Sequence, residues 1–285
     1  MAEPTLGWSI AAAFEKDAQT WALEKASIVE PMLFAIQVGI MAYCGERGLR
    51  FDGTVGHSIG EVTAVWAAGG LSLEEAVRIV IARSQTEECA YGMGSMAAVS
   101  YDPHALESLL PEYPSLQIAC FNSSDSFTLA GEVREIEALC KRLSPNTFLA
   151  LPLGISYPYH SVGMEGLKET LFDKLGSVRA EPMTRSFYSC VSGSSWLDRR
   201  TDAEYWWRNL REPVQFAGAV KAMLADGYRH FVEVTPFSIL NWYIDDMARE
   251  KHLEIKTFST LEKEEGLSEF ERRIAEILLE LFFVR

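Results

Sequence analysis

Gly56-His57-Ser58-Ile59-Gly60-Glu61 is the stretch from which the fold of this chain is predicted, because it sets a serine between two glycines at G-x-S-x-G spacing. Residues 52–55 before it predict a short strand, and residues 61–68 after it predict a helix. A serine in a sharp turn from strand to helix is a nucleophile elbow, in which the hydroxyl projects from the sheet edge. We therefore predict an α/β fold with a hydrolase-like core and Ser58 as its nucleophile. The structural alternative is a glycine-rich turn with a capping serine.

Composition excludes several classes of function. The 285 residues are 48% hydrophobic, enough for one large domain or a large domain with an insert. A net charge of −14 argues against nucleic-acid binding and against adhesion to anionic membranes. No stretch is expected to approach the length of a membrane span, and no signal peptide opens the chain.

Cysteines and histidines predict the compartment and the absence of a metal. The five cysteines are scattered without a C-x-x-C pair, which favours buried thiols in a reduced, cytoplasmic protein. The five histidines have no metal-binding spacing, so no zinc or iron site is expected. No bound cofactor is expected either.

The order of predicted elements indicates two parts. An apolar helix is predicted from Val29 to Tyr43 with Pro31 in its first turn, and a capping box at residues 72–75 predicts the start of another helix. Residues 95–153 have the order βαββαβ of a ferredoxin-like unit. We predict that residues 1–94 and 154–285 form the hydrolase-like core and that residues 95–153 form a small inserted subdomain.

A nucleophilic serine needs a base and an oxyanion site. His160 is the best candidate for the base, because it lies where the predicted insert returns to the core. His57 is expected to point to the opposite side of the turn from Ser58, and His230 is expected to pack. The backbone N–H of Ile59, at the start of the predicted helix, is the candidate oxyanion donor.

Several ordered blocks of the sequence match one family. They include V-G-H-S-I-G-E at 55–61, A-A-G-G-L-S-L-E-E-A at 67–76 and G-S-M-A-A-V at 94–99, then blocks at 122–123, 129–131, 205–216 and 231–236. With these blocks the chain resembles, from about residue 28 to about residue 241, the acyltransferase domain of type I polyketide synthases. That domain is similar to bacterial malonyl-CoA:acyl-carrier-protein transacylases.

The resemblance implies a reaction and its residues. Ser58 would take a malonyl-type extender unit from acyl-CoA with His160 as base, and the phosphopantetheine thiol of an acyl carrier protein would then collect it in a ping-pong cycle. Arg83 would grip the malonyl carboxylate through two parallel hydrogen bonds, where the residues alone suggest a solvated helix arginine. Gln215 would help to orient the histidine. Other domains of a polyketide synthase are implied as partners, and nucleic acid and membranes are not.

The chain departs from the family pattern at three places. The family's N-terminal G-Q-G-S-Q segment is absent, which predicts an uncovered sheet edge and leaves Ile59 N–H as the one oxyanion donor that can be named. Tyr157-Pro158-Tyr159-His160 begins like the methylmalonyl form Y-A-S-H, although the bulk of Tyr159 and of Ile59 is expected to favour malonyl. Phe237 stands where many relatives carry histidine, either as a pocket wall or as a packing residue.

Two other classes of function use the same residues. An acyl-clearing serine hydrolase or thioesterase would share the elbow but has less reason to carry Arg83. A non-catalytic docking domain of a synthase would keep the fold without becoming acylated. The fate of an acyl-enzyme in water, with and without a carrier protein, discriminates between them.

Overall fold

A computed structural model describes residues 2–15, 24–145, 147–196, 200–262 and 266–282. The helices are α1 (Glu3–Leu6), α2 (Ile10–Phe14), α3 (Ala26–Glu46), α4 (Gly60–Ala67), α5 (Leu73–Glu87), α6 (Pro103–Leu109), α7 (Val133–Leu143), α8 (Lys168–Leu175), α9 (Ala203–Arg211), α10 (Phe216–Ala225), α11 (Leu240–Glu250) and α12 (Leu267–Phe282). The strands are β1 (Gly53–Val55), β2 (Ser95–Ser100), β3 (Gln117–Phe121), β4 (Ser126–Gly131), β5 (Leu149–Pro152), β6 (Ser186–Ser189), β7 (Ser194–Ser195), β8 (His230–Glu233) and β9 (Lys256–Ser259).

The larger part of the protein contains two sheets. β1 pairs in parallel with β6, which pairs antiparallel with β7, and β8 pairs in parallel with β9. Among the described strands β1 lies at the edge of its sheet. Helix α4 follows β1 in the chain, so the turn between them lies at the carboxyl end of that strand.

The smaller part is one antiparallel sheet covered by two helices. Its strands lie in the order β3-β4-β2-β5, with α6 between β2 and β3 in the chain and α7 between β4 and β5. This is the predicted element order. Helix α7 buries Ile136, Leu139, Cys140 and Leu143 because residues at this spacing share one face of a helix.

Helix α3 is longer than predicted, and Pro31 lies inside it rather than in its first turn. Packing of the flanking residues extends it: Ala26 is buried at one end and Cys44 at the other. It has 21 residues, and an 18-residue window within it has a mean hydropathy of 1.5. By length and composition alone it could span a membrane, so the expectation that no stretch approaches that length is wrong. A core helix of a soluble protein meets the same criterion, and Ile40 and Cys44 pack against α12.

Helix α5 positions several groups that matter for the site. The Ser72 hydroxyl accepts a hydrogen bond from the Glu75 N–H at 3.1 Å, as the predicted cap requires. The reciprocal half of the capping box is missing, because the Glu75 carboxylate binds Arg78 and the N–H of Arg179 instead. The helix is buried along much of its length, including Arg83.

The segment at residues 155–160 lies between the two main hydrophobic cores. Ile155 and Tyr159 both pack against the core around α4 and α5 and against the core around α10. The segment that carries the candidate base is therefore held by packing on both sides.

All five cysteines are free thiols, and Cys89 is exposed, contrary to the prediction that the thiols are buried.

Candidate active site

The turn at Ser58 has the geometry of a nucleophile elbow. Ser58 has a φ of +53°, a left-handed conformation that a serine adopts only where the surrounding structure enforces it. A Cβ at Gly56 would lie 2.4 Å from the backbone nitrogen of Glu61, so only glycine fits there. The Glu61 N–H donates to the Ser58 carbonyl at 3.0 Å, which closes the turn at the start of α4.

Ser58 and His160 are in direct contact. The Ser58 Oγ lies 2.7 Å from the His160 Nε2, across 102 residues of sequence. The His160 Nδ1 lies 3.0 Å from the backbone carbonyl of Glu212. Because a carbonyl oxygen only accepts, Nδ1 carries the hydrogen and Nε2 is left to accept the serine proton. The pair is therefore arranged for removal of a proton from Ser58.

The histidine is held in its neutral form. Burial lowers the pKa of His160 to about 3, and the positive charges of Arg83 and His57 act in the same direction. The Glu212 carbonyl opposes this shift through its hydrogen bond. A neutral imidazole is the form that can act as a general base.

We expect the rate of serine acylation to show no acidic limb near pH 6.5, the ordinary pKa of histidine. The base works when neutral, so a lowered pKa moves the loss of activity to more acidic pH. The measurement is the single-turnover acylation rate between pH 5 and pH 8, by rapid quench and intact-mass spectrometry. A rate that halves near pH 6.5 would contradict the burial of this imidazole.

The described contact that orients His160 comes from Glu212. Gln215 occupies the N-cap position of α10 without a side-chain capping hydrogen bond, and its N–H donates to the Cys190 carbonyl at 2.7 Å. The described partner of His160 Nδ1 is a backbone carbonyl three residues earlier, and a role of Gln215 in orienting the histidine stays a prediction. No pattern of side chains in the sequence identifies a backbone acceptor.

A buried polar network that the sequence did not reveal supports the elbow from below. The Asn209 amide donates to the Ser58 carbonyl at 3.3 Å and to a Glu61 carboxylate oxygen at 2.6 Å. The Tyr205 hydroxyl and the Cys190 N–H donate to the other Glu61 oxygen at 2.6 and 2.8 Å. Burial raises the pKa of Glu61 to about 7, and these hydrogen bonds act in the opposite direction. The sequence offered one sign of this network, because Glu61 is an acidic residue in an otherwise apolar predicted helix.

We expect Glu61→Gln to lower the free energy of unfolding by about 1–3 kcal/mol. In the wild type, three donors converge on the two carboxylate oxygens of Glu61. Glutamine replaces one of these oxygens by an NH₂ group, which donates, so at least one buried donor loses its acceptor. The measurement is urea unfolding at pH 7, with the exposed Glu107→Gln on α6 as control. Equal midpoints for the two variants would show that the network contributes little.

Arg83 is buried, and its guanidinium already has partners. One terminal nitrogen donates to Glu30 at 3.2 Å, and the other lies 3.0 Å from a Glu87 oxygen and 3.0 Å from the Ser58 Oγ. The alternative of a solvated helix arginine is excluded by its zero exposure. The sequence prediction placed Arg83 at the site but missed both glutamates. Glu87 could have been suspected, because residues four apart share a helix face.

The two tyrosines before the base stack on each other. Their ring centroids are 4.8 Å apart with an interplanar angle of 10°. The Tyr157 hydroxyl accepts from the Ala26 N–H at 3.1 Å and donates to Glu88 at 3.2 Å, which ties it to the start of α3. Tyr159 is half-buried, whereas Phe237 is 55% exposed.

The remaining residues of the turn have separate roles. The His57 Nε2 lies 2.9 Å from the Asn122 Oδ1, so this ring joins the elbow to the smaller sheet and does not contact Ser58 Oγ. Within the described chain the Ile59 N–H meets no backbone or side-chain acceptor. No group of three or more potential metal ligands occurs among the described residues.

Comparison with known proteins gives one consistent result. The acyl transferase domain family matches residues 1–280. Erythronolide synthase EryA2 of Saccharopolyspora erythraea is 31% identical over 248 residues, which cover 87% of this chain and 7% of the synthase. The chain thus spans a small fraction of that relative.

Solved structures agree with the sequence comparison. The loading acyltransferase of the avermectin modular polyketide synthase superposes with a TM-score of 0.88 at 26% identity, covering 97% of this chain and 89% of that one. A malonyl CoA-acyl carrier protein transacylase of Clostridium perfringens shares the fold, with a TM-score of 0.85 at 19% identity, over 99% and 88% of the two chains.

Proposed function

This chain belongs to the acyl transferase domain family and is an acyltransferase, and we propose that it moves a malonyl-type acyl unit from coenzyme A to an acyl carrier protein through an ester on Ser58. The observation that carries this proposal is the 2.7 Å contact between Ser58 Oγ and His160 Nε2. We assign the transfer to polyketide or fatty-acid biosynthesis, because the relatives are polyketide synthases.

The first half-reaction follows from the geometry of the pair. As the Ser58 oxygen attacks the thioester carbonyl, the serine proton passes to His160 Nε2, and the Glu212 carbonyl holds the resulting imidazolium through Nδ1. The Ile59 N–H donates to the oxyanion of the tetrahedral intermediate. Collapse breaks the carbon–sulfur bond, the imidazolium returns the proton to the departing sulfur, and the acyl-serine ester remains.

The second half-reaction reverses these roles with a different thiol. His160 takes the proton of the carrier's phosphopantetheine thiol, the sulfur attacks the ester, and the proton returns to Ser58 as the acyl group leaves. Coenzyme A and phosphopantetheine are therefore substrates and not resident cofactors. Burial of His160 and Arg83 helps to keep water from the ester.

The acyl group is placed by the residues around the pair. We assign its carboxylate to Arg83, which reaches the Ser58 Oγ at 3.0 Å. We assign the border of its α-carbon to the Tyr157–Tyr159 stack and to Ile59, whose bulk disfavours an α-methyl branch.

The proposal extends to architecture and partners. We divide the chain into a hydrolase-like core at residues 1–94 and 154–285 and an inserted ferredoxin-like subdomain at residues 95–153, whose four strands run antiparallel. The carrier protein and further synthase domains are the partners, and the cytoplasm is the compartment. A hydrolase would use the same pair with water as acceptor, whereas a docking domain would need neither residue.

Transfer and hydrolysis are separated by the fate of the acyl-enzyme. We expect intact-mass spectrometry to show one malonyl addition after incubation with malonyl-CoA. Holo carrier protein, which bears the phosphopantetheine thiol, should discharge this adduct much faster than apo carrier protein. Equal rates of loss with both carriers would favour a hydrolase, and no adduct with any acyl-CoA would refute the proposed function.

A further inference from the structure

We propose that Glu30 and Glu87 compete with the substrate carboxylate for Arg83 and thereby set how strongly the enzyme selects malonyl over uncharged acyl groups. The inference rests on the proposed function and concerns the same site. The two glutamates act through Arg83, so they are positioning residues for acyl selection.

The geometry of the guanidinium carries the first step. A carboxylate is gripped by two parallel N–H donors of an arginine. Here one terminal nitrogen lies 3.2 and 3.4 Å from the two oxygens of Glu30, and the other lies 3.0 Å from Glu87. Both terminal nitrogens that could hold a malonyl carboxylate are thus engaged by carboxyl groups of the protein.

Burial makes this competition strong. The side chains of Arg83 and Glu87 are each 1% exposed, and that of Glu30 is 11% exposed. Ion pairs at this depth are little screened by water or salt, and an unpaired charge is costly there. A carboxylate that enters must therefore displace a protein carboxyl group from a terminal nitrogen of Arg83 or share the guanidinium with both of them.

The charges of the cluster point the same way. One arginine faces two glutamates, so at most one carboxylate is neutralised by it. Burial raises the pKa of Glu87 well above its usual range, Arg83 opposes this shift, and the neighbouring Glu30 adds to it. The carboxyl groups of Glu30 and Glu87 already surround the single positive charge of Arg83, so a malonyl group would add a negative charge without a spare cation. An acetyl group brings no charge.

The cluster also has unused hydrogen-bonding capacity. The Nε of Arg83 and one oxygen of Glu87 are buried and have no hydrogen-bond partner within the described residues. Buried polar groups of native proteins rarely lack partners. These two atoms leave the cluster able to bind one further polar group.

Two glutamine variants test the competition. We expect Glu30→Gln and Glu87→Gln each to raise the ratio of malonyl-CoA to acetyl-CoA acylation rates, Glu30→Gln by about tenfold or more, the size expected for one hydrogen bond to a charged group. Rates are measured as acyl-Ser58 formation at equal concentrations of the two thioesters. Glu75→Gln is the matched control, because Glu75 is a buried glutamate of the same helix, paired with Arg78.

The outcomes separate this inference from the function on which it rests. An unchanged ratio in both glutamine variants that fold and form acyl-enzyme overturns the competition and leaves the acyltransferase proposal intact. A ratio that shifts equally in Glu75→Gln also overturns it, since the effect would then be structural. If one variant does not fold, the ratio in the other decides. No acyl-enzyme in the wild type with either thioester refutes the proposed function and this inference together.

Discussion

Ser58→Ala should abolish the acyl-enzyme and lower the rate of acyl transfer by on the order of 10⁶, the scale seen when a nucleophilic serine is removed from an enzyme of this chemistry. The expected effect is large because the covalent intermediate needs the Ser58 oxygen itself. The His160 Nε2 at 2.7 Å and the Arg83 nitrogen at 3.0 Å both converge on that oxygen. The measurement is intact-mass spectrometry after incubation with malonyl-CoA, with peptide mapping of the adduct in the wild type.

A second variant separates loss of chemistry from loss of folding. Ser58 has a φ of +53°, which glycine adopts without strain. Ser58→Gly should therefore be as inactive as the alanine variant while unfolding at a temperature no lower than the wild type. Ser108→Ala, at an exposed serine of α6, should leave acylation unchanged. An adduct of equal yield on either Ser58 variant would move the nucleophile elsewhere.

The sequence predicted the parts of this site that depend on local spacing. The turn at Ser58 was predictable from the G-x-S-x-G stretch, because Gly56 must lie against the backbone of Glu61. Both residues belong to the same short stretch of sequence, so this constraint is local. The βαββαβ order of residues 95–153 was predictable because strand and helix periods differ and because turns separate them. His160 was found by its place at the return from the predicted insert.

The parts that were missed depend on contacts between distant residues. Asn209 reaches Ser58 across 151 residues of sequence, and Glu30 reaches Arg83 across 53. The acceptor at His160 Nδ1 is a backbone carbonyl, which every residue possesses and no pattern marks. The extent of α3 was underestimated because its start is not marked by a local capping residue: the side chain of Lys25 makes no capping hydrogen bond, and the N–H of Ala26 donates to the distant Tyr157 hydroxyl instead.

These long-range contacts explain why charge is distributed as it is around the serine. Burial lowers the pKa of the His160 imidazole, and the positive charge of Arg83 beside it acts in the same direction. Glu30 and Glu87 offset that charge within the same buried cluster. The arginine thus connects the proton acceptor, the nucleophile and the two glutamates, and a change at any of them alters the others.

His160→Ala should slow both half-reactions by about 10²–10⁴, the usual contribution of a positioned general base. The same imidazole must take the proton of Ser58 in acylation and the proton of the carrier thiol in transfer, so neither step is spared. The two steps are measured separately: acylation by rapid quench with malonyl-CoA, and discharge by adding holo carrier protein to preformed acyl-enzyme. His104→Ala, at an exposed histidine of α6, is the control and should leave both rates unchanged.

The rates of the His160→Ala variant show whether another group can remove the serine proton. His57 is bound to Asn122 at 2.9 Å and does not reach Ser58, so it cannot replace the missing imidazole without a rearrangement of the elbow. Discharge is the chemical reverse of acylation, and the serine oxygen must receive a proton from the same imidazole as it leaves, so the two rates should fall by similar factors. Unchanged acylation in a folded His160→Ala variant would show that another group removes the serine proton, and the 2.7 Å contact would then serve only to hold the side chain.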